Sequence, residues 1–100
     1  MTILHTVNKS PFERKSLTVC IDHLSEGSAV LLIEDAVYGA VAGEAASRLI
    51  SVQGVKVYVL GPDLAARGIP EDQVPDGVGV VDYEGFVDLA VEHDAVHAWL

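Results

Sequence analysis

Cysteine is almost absent from this chain, whose 100 residues hold only Cys20. A single cysteine cannot form an intrachain disulfide, and a structural zinc site needs several cysteine and histidine ligands at short spacing. The 4 histidines are not accompanied by the paired cysteines of such a site. The sequence therefore predicts neither a disulfide framework nor a bound metal ion.

Positive charge is also scarce, because 6 lysines and arginines face 15 acidic residues and the net charge is −9. Nucleic-acid binding depends on basic side chains that neutralise phosphates. From Gly61 to Leu100 the only basic residue of this kind is Arg67. We therefore expect no direct contact with nucleic acid or with an anionic membrane surface. The acidity favours a basic partner.

Long apolar runs are missing as well. No segment approaches the roughly 18 uninterrupted apolar residues of a membrane span. The first residues place a short apolar run before the charged ones, which is the reverse of a secretory signal. The sequence therefore predicts a cytoplasmic protein with no membrane association.

Apolar aliphatic residues are abundant, since 50% of the chain is hydrophobic and only 6% is aromatic. The length fits one domain, residues 1–100, with a core built mainly from valine, leucine, isoleucine and alanine. Small domains bury a smaller share of their surface than large ones. We therefore expect an exposed apolar patch of the kind that marks contacts between subunits.

Strand and helix signals alternate along the chain. Apolar runs predict strands at Ile3–Val7, Ala29–Ile33, Val55–Leu60, Val78–Val81 and Ala95–Leu100. Capping and spacing signals predict helices at Pro11–Leu24, Ala36–Val52 and Tyr83–His93, and a short helical piece between Gly61 and Gly68. The alternation predicts a three-layer α/β domain with a mainly parallel sheet of about five strands. Its outline is flavodoxin-like, with helices on both faces.

The ends of the predicted strands hold few residues suited to catalysis. Neither the dinucleotide-binding glycine pattern nor a phosphate-binding loop is present, so we expect no nucleotide, flavin or other cofactor. Glu34 and Asp35 could be an acid/base pair, but acids at the start of a helix are commonly structural, which is the interpretation we favour. We likewise interpret His5 and His97 as structural.

Cys20 is the candidate for chemistry. On the predicted first helix it lies at the edge of an apolar stripe formed by Leu17, Ile21 and Leu24, beside His23. An accessible thiol next to a histidine could be activated as a thiolate. A buried one would only fill space, as free cysteines commonly do. The residues alone leave both interpretations open.

Five segments, in this order, carry a wider pattern: LHTVNKSPFER, LLIEDAVYGAV, YVLGPDLAARG, VVDYEGFVDL and AVHAWL. Their order and spacing in a chain of this length resemble the DsrH/TusB family of sulfur-relay subunits. One departure is Ala36, where the family pattern has glycine, a conservative change within a helix.

This resemblance implies a subunit of a cytoplasmic heterohexamer with DsrE/TusD-like and DsrF/TusC-like partners. In such complexes the main sulfur-accepting cysteine lies on the DsrE/TusD-like subunit, which passes persulfide sulfur to a DsrC/TusE-like carrier. The present chain would assist assembly and docking. Cys20 would be its candidate sulfur-carrying thiol.

The family has two branches, and the resemblance leaves the choice between them open. One branch serves 2-thiolation of the tRNA wobble uridine, and the other serves bacteria that oxidise reduced sulfur compounds. A cysteine at the position of Cys20 is typical of the oxidising branch, so the resemblance leans towards DsrH and oxidative sulfur metabolism. The alternatives are a TusB-type subunit, a non-catalytic assembly subunit, and an independent ligand-binding domain.

Overall fold

Five strands form the framework of this computed structural model, which describes residues 2–9, 20, 24, 26–41 and 54–99. The strands are β1 (Ile3–Val7), β2 (Ala29–Leu32), β3 (Lys56–Leu60), β4 (Val78–Val81) and β5 (Ala95–Trp99). The described α-helices are α1 (Gly61–Ala66) and α2 (Tyr83–Glu92), with 3₁₀ segments at Glu34–Ala40 and Glu71–Gln73. Every predicted strand is confirmed, and no strand end differs from the prediction by more than one residue.

All the strands are parallel, in the order β4-β3-β2-β1-β5. The chain first adds strands outwards from β1 to β4. It then crosses back over the sheet so that β5 pairs with the free edge of β1. Parallel strands need crossover connections rather than tight hairpins, as the alternating pattern predicts. The α/β fold with a parallel sheet is therefore confirmed.

Alternate strand residues divide the sheet into two faces. We call one the cysteine face; its buried residues are Val7, Val30, Leu32, Val57 and Val59. Cys20, Val37 of the first 3₁₀ segment and Leu64 of α1 belong to the same apolar cluster. Counted over the described residues, this face holds the larger of the two cores.

The opposite side, which we call the α2 face, is built on Leu4, Ala29 and Leu31. Leu89 of α2 packs against them, with Phe86 beside it. Among the described residues, α2 is the only helix on this face. The prediction of helical layers on both sides of the sheet is confirmed.

Helix α2 begins at Tyr83, as the sequence predicts. Asp82 is the N-cap, and its carboxylate accepts a hydrogen bond of 2.8 Å from the backbone N–H of Gly85. Such a cap satisfies one of the N–H groups that have no partner within the helix. The helix ends at Glu92, one residue before the predicted end at His93.

The other predicted helices are tested only in part. The one expected from Ala36 begins two residues earlier, as the 3₁₀ segment Glu34–Ala40, and residues 42–53 lie outside the described residues. The predicted helix Pro11–Leu24 also lies outside them, except for Cys20, which is helical, and Leu24. Within the described ranges, no helix is both long and apolar enough to cross a membrane.

Candidate functional site

Cys20 lies in the core of the cysteine face. Its side chain has 0% exposure and shares an apolar cluster with Val7, Val37 and Leu64. The sequence places this residue at the border of an apolar stripe, and the structure brings it fully inside. His23, the proposed activating neighbour, lies outside the described residues.

Burial changes the acid strength of this thiol. Removal from water disfavours the charged thiolate, and this raises the pKa of Cys20 from 9.0 to about 12. At neutral pH the ionised fraction is then on the order of 10⁻⁵. Because the thiolate is the nucleophilic form, burial disfavours attack by this thiol in the described conformation. The assignment of Cys20 as a sulfur-carrying thiol stays a prediction.

The acids that follow β2 and β3 come together at the carboxyl edge of the sheet. Arg67 donates from Nε to Oδ1 of Asp35 at 2.9 Å, and its Nη2 lies 2.9 Å from the same oxygen. Arg67 Nη1 also donates to the backbone oxygen of Asp63 at 3.2 Å. We call Glu34, Asp35, Asp63 and Arg67 the edge cluster.

The edge cluster ties the first 3₁₀ segment to α1. Asp63 accepts a 2.7 Å hydrogen bond from the backbone N–H of Glu34, and this stabilises the start of that segment. Glu34 has φ 49°, a left-handed conformation that is unusual for a residue other than glycine. Since Asp35 is paired with a cation and Asp63 serves as a cap, the contacts support the structural interpretation of the Glu34-Asp35 pair. No group of acidic, histidine or cysteine residues among those described could hold a metal ion.

Two histidines and a tryptophan gather where β5 pairs with β1. Trp99 Nε1 donates a 3.0 Å hydrogen bond to Nδ1 of His5, whose side chain is 3% exposed. His97 is in register with His5 and stacks on Trp99 with ring centroids 4.5 Å apart. Because an indole N–H can only donate, Nδ1 of His5 is the acceptor in this bond. The cluster anchors the last strand, in agreement with the structural interpretation of both histidines.

The structure also locates an exposed apolar surface on α2, whose position the sequence did not predict. Tyr83, Val87 and Val91 of α2 are all largely exposed. Their four-residue spacing places them along one side of the helix. That spacing was visible in the sequence, but it could equally have belonged to the buried side. Only the packing of Leu89 and Phe86 on the sheet shows which side faces inward.

Comparison with known proteins places these features in a family. The family described as DsrH like protein matches residues 9–96. Protein TusB from Pectobacterium parmentieri is 38% identical over 97 residues, and Protein TusB from Escherichia coli K12 is 36% identical over 97 residues. Each alignment covers 97% of this chain and 100% of the relative.

Solved structures agree on the fold. The ychN protein from Escherichia coli superimposes with a TM-score of 0.81 at 19% identity, covering 99% of both chains. A protein of unknown function from Methanobacterium thermoautotrophicum gives 0.71 at 21% identity, covering 97% of this chain and 96% of the other. At such identities the likeness concerns the fold alone. The family match and the full-length relatives go further, and they establish that the chain belongs to the DsrH/TusB family.

Proposed function

We propose that this chain is a TusB-type subunit of a cytoplasmic sulfur-relay complex that serves 2-thiolation of the tRNA wobble uridine. The observation that carries the proposal is the similarity to TusB relatives along 97% of the chain. Its companions would be DsrE/TusD-like and DsrF/TusC-like subunits. A DsrC/TusE-like carrier would accept the sulfur.

The proposed tRNA branch differs from the oxidising branch that the sequence resemblance favours. That leaning towards oxidative sulfur metabolism depends on the presence of Cys20. The buried position of this thiol weakens the argument, because a cysteine that fills the core has a structural reason to be there. The relatives named TusB favour the tRNA branch.

Within the complex, we assign this chain to assembly and docking rather than to sulfur carriage. A persulfide forms when a thiolate attacks the outer sulfur of a persulfide donor and displaces the donor's thiolate. Cys20 is buried in the described conformation, and its raised pKa keeps the thiol protonated at neutral pH. Asp35 is paired with Arg67 and Asp63 accepts a hydrogen bond from the backbone of Glu34, so these contacts favour a structural role for both acids. The exposed apolar side of α2 is suited to contact between proteins.

Sulfur loading tests the assembly role. This chain is purified in complex with its two companion subunits and incubated with a persulfide donor. Mass spectrometry then measures the mass of each subunit. We expect the DsrE/TusD-like subunit to gain sulfur while this chain gains none. The Cys20→Ala complex serves as the matched control and should load to the same extent. Sulfur recovered on Cys20 of the native complex would overturn the assembly role.

Deletion of the gene in the source organism tests the branch. We expect the thiolated wobble uridine to disappear from tRNA and to return when wild-type or Cys20→Ala protein is supplied. Normal thiolation together with a lost capacity to oxidise reduced sulfur would instead assign the chain to the oxidising branch.

A further inference from the structure

The outer surface of α2 carries an apolar stripe formed by Tyr83, Val87 and Val91. These side chains are 61%, 61% and 79% exposed. Residues four apart on a helix are neighbours, so the three side chains form one strip along the helix. Exposed apolar residues are common singly, but contiguous ones mark surfaces that contact other proteins.

An acidic ridge runs beside this stripe. Glu84, Asp88 and Glu92 are all exposed, and each follows a stripe residue by one position. On a helix this offset of about 100° places the acids along the flank of the stripe, opposite the side that packs on the sheet. Helix α2 therefore presents one buried strip, one exposed apolar strip and one exposed acidic strip.

The sheet beside α2 is also incompletely covered. Val96 of β5 is 50% exposed and is in register with Leu4, so its side chain lies on the α2 face. Helix α2, which connects β4 to β5, is the only described helix on this face. The first 3₁₀ segment and α1 pack on the cysteine face, through Val37 and Leu64. Val96 thus leaves apolar surface exposed on the face where α2 lies.

Charge indicates what covers this surface. A second copy docked through the same stripe would bring its own acidic ridge alongside, and like charges at an interface are costly. The basic residue of the C-terminal part, Arg67, is engaged by Asp35 and cannot offset that repulsion. An apolar patch bordered by lysine or arginine would match both strips.

We propose that the stripe and the ridge of α2 form the docking surface for a companion subunit of different sequence, whose contact patch is apolar and bordered by basic side chains. This inference rests on the proposed function, because the companion is one of the DsrE/TusD-like and DsrF/TusC-like subunits. The apolar stripe supplies most of the affinity, and the ridge supplies orientation and discrimination against self-association.

The test compares two triple charge reversals with equal effect on net charge. The test variant is E84K/D88K/E92K on the ridge. The control variant is E71K/D72K/D76K, which reverses exposed acids of the loop that precedes β4. Affinity for the purified companion subunits is measured by calorimetry at low and high salt. We expect the ridge variant to bind at least about tenfold more weakly and to lose most of the salt dependence, while the control stays within about twofold.

A stripe variant, Val91→Asp, tests the apolar component. Its side chain is 79% exposed, so the fold is expected to persist, which thermal unfolding checks. We expect a loss of affinity of at least about tenfold. Equal weakening by both triple variants, or normal binding by the ridge and stripe variants, would overturn the docking surface while leaving the proposed function intact.

Other occupants give distinct results. If sedimentation shows that the wild-type chain self-associates and Val91→Asp alone makes it monomeric, the surface belongs to a second copy and the inference is wrong. If the stripe variant keeps its companions but no longer binds the DsrC/TusE-like protein, the occupant is the carrier, and the inference is again wrong. A wild-type chain that binds neither companion rejects the proposed function and this inference together.

Discussion

Raising the pH should destabilise this protein through the thiol of Cys20, and replacing it by alanine should remove that sensitivity. In the folded chain, burial raises the pKa of Cys20 to about 12, against 9.0 for the exposed group. Between these values the unfolded chain releases the thiol proton while the folded chain keeps it. The unfolded state therefore binds fewer protons, and the free energy of unfolding falls as the pH rises.

The magnitude follows from the two pKa values. Below pH 9 this thiol contributes no pH dependence, because both states are protonated. Above it, the free energy of unfolding falls by about 1.4 kcal/mol per pH unit, which gives a loss of about 1.4 kcal/mol at pH 10. The loss in free energy of unfolding would approach about 4 kcal/mol near pH 12, where the pH equals the pKa of Cys20 in the folded chain.

Urea unfolding of wild type and Cys20→Ala, at several values from about pH 8 to about pH 10.5, measures this effect. Tyrosines and lysines titrate in both proteins, so the difference between the two curves isolates the cysteine. At about pH 8 the variant should be less stable than wild type by about 1–2 kcal/mol, because it loses packing in the core. The difference in free energy of unfolding should shrink as the pH rises and close or reverse near pH 10.5, where wild type has lost about 2 kcal/mol. Parallel curves, or rapid labelling of the native thiol by a disulfide reagent, would refute the claim that Cys20 is sealed in the core.

Three further substitutions test contacts described above, each by urea unfolding. Asp82→Ala removes the N-cap of α2 and should cost about 1 kcal/mol, whereas Asp88→Ala on the exposed side should change little; equal effects would contradict the cap. Trp99→Phe removes the hydrogen bond to Nδ1 of buried His5 and should cost about 1–2 kcal/mol; an unchanged midpoint would argue against that bond. Glu34→Gly relieves a left-handed backbone and should be neutral or stabilising by up to about 1 kcal/mol, and a clear destabilisation would mean that the carboxylate itself matters.

Much of the fold can be predicted from the sequence, because strands and helix starts depend on residues that are close together in the chain. The run Ala29–Leu32 is apolar throughout, which suits a strand covered on both sides, and all four residues are buried. The cap at Asp82 is equally local. Strand order is not a local property, because the pairing of β5 with the edge of β1 depends on contacts between the two ends of the chain.

The candidate site was harder to predict. A helical wheel gives the direction of Cys20 only to within the width of the apolar stripe, and burial depends on how the helix sits against the sheet. The pairing of Asp35 with Arg67 joins residues 32 positions apart, which no local spacing reveals. The exposed side of α2 could not be told from its buried side without knowing where Leu89 packs.

The partnership of β1 and β5 has a consequence for biosynthesis. The backbone N–H of Thr2 donates to the carboxylate of Asp94, 92 residues later, and the last strand closes the sheet beside it. In a nascent chain, the edge of β1 that pairs with β5 therefore keeps its backbone hydrogen-bonding groups unpaired until β5 has been synthesised. Contacts this distant in sequence slow folding, so the growing polypeptide is expected to depend on chaperones or early-bound neighbours to shield that edge on the ribosome.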